Sequence, residues 1–172
     1  MYKYKKIIIL GSSGSGKSTL ANRIGLYTGF PVYHLDNILY NPGWERKEKS
    51  KWSEICREIF LRKDVGIVDG NYTSIIPERI NWADLVIFID IPTWLQIYRI
   101  FLRNIRIKIG LEKRYGTQKE NKEKIGWDFL KWAYRWNKHE KDKIFSMIDS
   151  YKDKKVIIIS KPKELDIKSL FE

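Results

Sequence analysis

The stretch from Leu10 to Leu20, LGSSGSGKSTL, follows the apolar run of Ile7, Ile8 and Ile9. Its Gly11, Gly16, Lys17 and Ser18 fit the spacing G-x-x-x-x-G-K-[ST]. An apolar strand before that spacing and a helix after it form the setting in which it makes a phosphate-cradling P-loop. Glycine tolerates dihedrals and close backbone approaches that other residues resist. Gly11, Gly14 and Gly16, with Ser12, Ser15 and Thr19 in the same turn, therefore let main-chain N–H groups wrap phosphates. Lys17 is expected to reach the β- and γ-phosphates as a point charge and Ser18 to ligate Mg²⁺, while the helix N-terminus adds its partial positive charge. The loop thus predicts a nucleoside triphosphate, ATP, with Mg²⁺.

The rest of the chain supplies a scaffold of the matching kind. Strand-like runs at Lys5–Leu10, Val32–Asp36, Val65–Asp69, Leu85–Asp90 and Lys155–Ser160 are nearly continuous in Ile, Val, Leu and Phe. Such runs suit strands covered on both faces, and the helical stretches between them predict an α/β fold, a three-layer arrangement around a five-stranded parallel sheet. Amphipathic patterns place helices at Lys17–Tyr27, closed by Gly29 and Pro31, and at Lys51–Arg62; others start near Pro92 and cover roughly Lys124–Tyr151. Ligands are expected at the carboxyl ends of the strands.

With 172 residues, the chain is long enough for one full core, and a single domain over residues 1–172 is expected. Its apolar runs fall far short of the ~20 residues that span a bilayer, so no membrane partner is expected and a cytoplasmic protein is. The single cysteine, Cys56, excludes an internal disulfide and sits among Ile55, Ile59 and Phe60 as a core residue. The net charge of +12 is concentrated: residues 99–143 hold fourteen Lys/Arg against six Asp/Glu. A basic stretch of this kind suits phosphates or a polynucleotide, or forms a solvated face.

Several residues are placed to do chemistry beside the P-loop. Asp36, ending VYHLD, would be delivered by a parallel strand to the P-loop edge, where it either touches an acceptor or caps a turn. His34 in the same strand reads as a buried, hydrogen-bonded histidine. Asp69 and Asp90 each end an apolar strand. Asp69 is preferred as the metal acid because Gly70 after it permits a tight turn near phosphate, whereas Asp90 reads as the cap of the following helix. Arg99, Arg103 and Arg106, spaced by four and three, share a helix face and suit phosphoryl oxygens, with Arg114 and Arg135 as further candidates.

The ordered set GSSGSGKSTLANRIG, PVYHLDNILYNPGW, GIVDGNYTSIIPERI, WADLVIFIDIP and YRIFLRNIR resembles the adenylate-kinase-related DNA topology modulation proteins, or FlaR-like family. The resemblance implies a nucleoside-monophosphate-kinase fold with strand order 2-3-1-4-5. It also implies an acceptor-binding helical segment over residues 37–62 and a helical, basic lid over 104–135. By the same likeness Asp69 and Gly70 form the acid–glycine turn, and Arg99 and Arg103 are lid-entry arginines. Lys161 and Pro162 in SKPKEL back the adenine, and Trp44 and Arg46 contact the acceptor. Asn71 and Tyr72 stand where adenylate kinases have an aromatic and a proline.

Two functions follow as expectations. The first is an ATP-dependent phosphotransferase with an alcohol or phosphate acceptor, in which Lys17, Arg99 and Arg103 stabilise the migrating phosphoryl group and Asp36 or Asp69 orients the acceptor. The second is a nucleotide-regulated DNA-binding protein, using the basic segment and the aromatics Trp127, Trp132, Tyr134 and Trp136. ATP binding without transfer, acting as a switch, is a third reading.

Overall fold

The architecture is taken from a computed structural model that describes residues 2–41, 45–111, 131 and 134–172. In chain order the elements are β1 (Lys6–Gly11), α1 (Lys17–Thr28), β2 (Val32–His34), α2 (Leu35–Leu39), β3 (Tyr40–Asn41), β4 (Glu45–Arg46) and α3 (Lys49–Arg62). Then come β5 (Gly66–Asp69), a 3₁₀ turn at Thr73–Ile75, α4 (Ile76–Trp82), β6 (Leu85–Ile89) and α5 (Thr93–Lys108). A π-helical turn at Trp136–Glu140 leads into α6 (Lys141–Asp149), followed by β7 (Lys155–Ile159) and α7 (Ile167–Phe171).

Five of the strands form one parallel sheet in the order β2-β5-β1-β6-β7, which is 2-3-1-4-5 when the hairpin strands β3 and β4 are left out of the count. β1 lies at the centre, and Ile7, Ile8, Ile9 and Leu10 are all fully buried. Side chains alternate between faces along a strand, so this run feeds two cores. Ile8 and Leu10 join Val68, Val86 and Phe88 against α3, α4 and α6. Ile7 and Ile9 join Ile67, Leu85 and Ile87 against α1 and Phe171 of α7. The result is three layers. Each fully buried isoleucine contributes roughly 1.5–3 kcal/mol, so the strand that carries the P-loop is firmly held.

Three expectations change on contact with the fold. The second strand stops at His34, and Asp36 lies in the first turn of the short helix α2. Asp90 caps nothing: α5 begins after Pro92 without a side-chain cap, and the Asp90 carboxylate instead accepts from Lys141 Nζ at 2.7 Å. Residues 104–108 of the expected lid are the last turns of α5. The rest of the basic segment, 112–130 with 132 and 133, lies outside the described residues, Trp127, Trp132 and Arg114 with it. Cys56 and Trp136 are core residues. No helix among the described residues is long and apolar enough to cross a membrane.

A positive charge is buried in the core as well. Arg79 of α4 is fully buried, and its Nη1 donates to the carbonyl of Gly70 at 2.9 Å. Its Nε and Nη2 find no hydrogen-bond partner among the described residues. Burial pulls its pKa down to about 10, against the opposing charge of Asp69. A buried cation held this way has a large desolvation cost, and replacing buried charge by an apolar group of similar length is often near neutral, whereas leaving a hole is not. Arg79→Ala is therefore expected to lower stability by ~3 kcal/mol, and Arg79→Met to leave it within ~1.5 kcal/mol of the parent. Urea unfolding midpoints measure both, and equal losses would show that the positive charge itself holds α4 in place.

Candidate functional site

A cleft of ≈ 250 Å³ opens at the carboxyl edge of the sheet, with the P-loop as one wall. The loop meets α5 closely. A Cβ on Gly14, whose φ is +76°, would stand 2.8 Å from Ile100 Cγ1 and 3.0 Å from the Gln96 carbonyl, so only glycine fits. α1 starts at Gly16 with no side-chain cap and no acidic residue in its first turn. Its first N–H groups are thus left for a ligand, and anions are stabilised there. The hydroxyls of Ser12 and Ser15 are buried without a partner among the described residues. Lys17 Nζ donates to the Ser12 carbonyl at 2.7 Å. Burial brings its pKa down to about 8, although Asp69 and Asp36 pull the other way. Lys17 and the start of α1 line the cleft, where an anion would meet both, whereas Ser12 and Ser15 do not line it.

The acid opposite Lys17 is fixed by two bonds. Asp69 accepts from Ser18 Oγ at 2.5 Å on Oδ2 and pairs with His34 Nδ1 at 2.6 Å on Oδ1. The sheet register sets His34 directly across from Asp69. Burial alone would depress the imidazole, but the hydrogen bond and charge of Asp69, with Asp36 nearby, hold its pKa above the ordinary value. Ser18 and Asp69 form a pair of oxygen donors of the hard kind that Mg²⁺ takes. No group of three or more His, Cys, Asp or Glu that could hold a metal occurs among the described residues. An ion here would therefore complete its shell with water and phosphate oxygens.

The three residues after Asp69 are each tied to a distant segment. Gly70, at φ +134°, passes so close to Leu35 that a Cβ would lie 2.9 Å from that residue's Cβ, and its carbonyl is the one Arg79 holds. The Asn71 side chain accepts from Gly11 N–H at 3.2 Å and donates to the Gly11 carbonyl. β5 has ended by this point, and the amide takes its place beside β1. Tyr72 Oη donates to Asp36 Oδ1 at 2.6 Å. Burial first, then the charge and hydrogen bond of Asp36, push the phenol far above its usual pKa.

Asp36 lines the cleft with His34, Asp69 and Gly70, and from α5 come Arg99, Arg103 and Arg106. Arg99 Nη1 also donates to the Ser15 carbonyl at 3.3 Å, which ties α5 to the P-loop. Pro162 lines the other end of the cleft; Lys161 does not, being exposed and paired with Glu164 at 3.1 Å. The neighbouring Lys163 lines the cleft in its stead. Arg46 is exposed on β4 and does not line the cleft, Arg135 is exposed after the basic segment, and Trp44 lies outside the described residues. Sequence reading missed Arg23, whose guanidinium donates to the carbonyls of Pro162, Lys163 and Leu165 and so holds that loop against α1. It also missed Arg79. Neither has a local signal, because their partners come from distant segments.

No known family profile matches the sequence, and no curated protein matches it. Solved structures do resemble the fold. A shikimate kinase from Acinetobacter baumannii in complex with shikimate aligns at TM-score 0.56 and 14% identity over 85% of this chain and 81% of that one. A shikimate kinase from Bacteroides thetaiotaomicron aligns at 0.50 and 15% over 97% and 94%, and a gluconokinase from Sinorhizobium meliloti 1021 at 0.50 and 14% over 96% and 86%. At such identities the likeness establishes the α/β fold of P-loop kinases.

Proposed function

We propose that the chain is an ATP-dependent phosphotransferase whose acceptor is a small molecule bearing a hydroxyl group. The observation that carries this reading is the cleft itself. The P-loop with Lys17, the Ser18–Asp69 pair, the carboxylate of Asp36 and the guanidinium groups of Arg99 and Arg103 all face one space. In this reading the P-loop and the start of α1 bind the triphosphate, with Pro162 and the loop held by Arg23 beside the base. No described residue of the expected acceptor segment 37–62 lines the cleft, and the acceptor wall in this reading is His34, Asp36 and Gly70. Mg²⁺, held by Ser18 and Asp69, supplies charge neutralisation on the phosphates when bound.

The chain's own groups account for the remainder. Lys17, Arg99 and Arg103 stabilise negative charge on the migrating group as it leaves the β-phosphate oxygen. The acceptor oxygen forms the new bond to phosphorus while its proton passes to Asp36. A carboxylate at this position suits a hydroxyl that must lose a proton and repels an acceptor that arrives as a phosphate, which favours the alcohol over the phosphate acceptor. The small-molecule kinases with the same fold support this choice of acceptor class, and the FlaR-like resemblance supports the adenylate-kinase-related lineage. For direct DNA binding, Trp136 of the aromatic set is buried in the core and Tyr134 is exposed, while Trp127 and Trp132 lie outside the described residues.

A ³¹P NMR screen of ATP with hydroxy acids, polyols and nucleoside monophosphates tests the reading. A phosphorylated hydroxyl compound is expected, lost in Lys17→Ala and slowed ~10²–10⁴-fold in Asp36→Asn; transfer to a nucleoside monophosphate that survives Asp36→Asn would overturn it. Lys17 gives a second measurement. With its pKa near 8 in the free protein, the ammonium is charged below that pH and lost above it, while bound phosphate favours the charged form. Affinity for a nonhydrolysable ATP analogue is expected to be level between about pH 7 and 7.5 and to fall by up to about tenfold per unit above pH 8. The same slope in Lys17→Ala would assign the effect to another group.

A further inference from the structure

We propose that Tyr72 is a positioning residue for phosphoryl transfer: its hydroxyl fixes one oxygen of Asp36, so that the other serves the acceptor. The proposal rests on the reading of Asp36 given above. Asp36 lies in a helix of five residues, α2, followed at once by the two-residue strand β3. Such short elements fix a side chain poorly on their own. The hydrogen bond from Tyr72 Oη to Oδ1, at 2.6 Å, supplies the constraint that α2 lacks. Bonds to an ionised carboxylate are shorter and stronger than neutral ones, and they are directional.

What places the hydroxyl is the core. The Tyr72 ring packs against the large apolar cluster on the α3/α4 side of the sheet, its centroid 6.2 Å from that of Trp52 at a tilt of 48°, and Trp52 is itself buried. Its backbone is anchored from the other direction. Tyr72 follows Asp69, Gly70 and Asn71, which are held by Ser18 and His34, by Arg79, and by Gly11 respectively. A single four-residue turn therefore sets the acid beside the P-loop serine and, three residues on, the acid on the acceptor wall. The phenol, kept protonated by burial and by the Asp36 charge, remains a donor throughout the working pH range. A phenylalanine at this position would keep the packing and lose the bond, and the Asp36 carboxylate would then sample orientations unproductive for transfer.

The test uses Tyr72→Phe, Asp36→Asn and the double variant in the full chain, with water as the acceptor, so that ATP hydrolysis is the rate measured. Tyr72→Phe is expected to lower kcat by about tenfold while the KM for ATP stays at the wild-type value and the protein stays fully folded at the assay temperature, and to lower nothing further in the Asp36→Asn background. Independently of turnover, ¹³C-carboxyl NMR identifies the Asp36 resonance by its loss in Asp36→Asn. That resonance is expected to move toward the position of solvent-exposed aspartates in Tyr72→Phe. Wild-type kcat in Tyr72→Phe, an unmoved Asp36 resonance, or additive losses in the double variant would each overturn the proposal. Absence of hydrolysis and of transfer in the wild type, with the Asp36 resonance shifting as expected, would count against the phosphotransfer reading and leave the Tyr72–Asp36 bond standing.

Discussion

The site depends on how a buried carboxylate is held at the end of β5. Asp69 is only 3% exposed, and a charge so placed is tolerable because both oxygens are hydrogen-bonded, one to Ser18 and one to His34. Those two bonds join three elements: the first turn of α1, the end of β2 and the end of β5. The parallel register, with Ile9 and His34 each paired to Asp69 on its two sides, makes the geometry possible. A one-residue slip would turn the Asp69 side chain to the other face of the sheet, and the same slip would break the division of β1 between the two cores. The apolar packing that fixes the register therefore also fixes the chemistry.

Much of this was legible in the chain, and the reason is locality. The P-loop is read from glycine and lysine spacing within one turn, and the strands from unbroken Ile, Val and Leu runs whose burial on both faces leaves no polar alternation. Asp69 could be chosen over Asp90 because Gly70 follows it. The structure places Asp69 beside Ser18 and pairs Asp90 with Lys141. What stayed illegible is non-local or short. α2 has five residues, too few to show a helical period, and so Asp36 reads as the end of a strand. β3 and β4 have two residues each. Arg79 within IPERI has the look of a surface charge, and only the packing of α4 shows that it is buried.

The string DGNY marks the boundary between the two kinds of information. As a string it was visible and carried a resemblance, yet the partners that give its residues their work are far away in sequence. Asn71 meets Gly11 across 60 residues and Tyr72 meets Asp36 across 36. Adenylate kinases have an aromatic and a proline at these two positions. The Asn71 amide bonds both the N–H and the carbonyl of Gly11, which a hydrocarbon aromatic ring cannot do, and the Tyr72 hydroxyl reaches an acid, for which a proline has no donor. The departure from that pattern thus has a structural use in this chain.

The charge balance of the cleft follows from the same turn. Lys17, Arg99, Arg103 and Arg106 face Asp36 and Asp69 across a small volume, and guanidinium groups readily close onto carboxylates as bidentate pairs. Here both acids are held by other groups: Asp69 by a serine hydroxyl and a histidine, Asp36 by a phenol. A serine hydroxyl, a histidine and a phenol therefore do the positioning of the two acids at this cleft. An arginine in place of Tyr72 would hold Asp36 equally well but would neutralise it. A phenol at this position thus supplies orientation without adding a charge beside the Asp36 carboxylate.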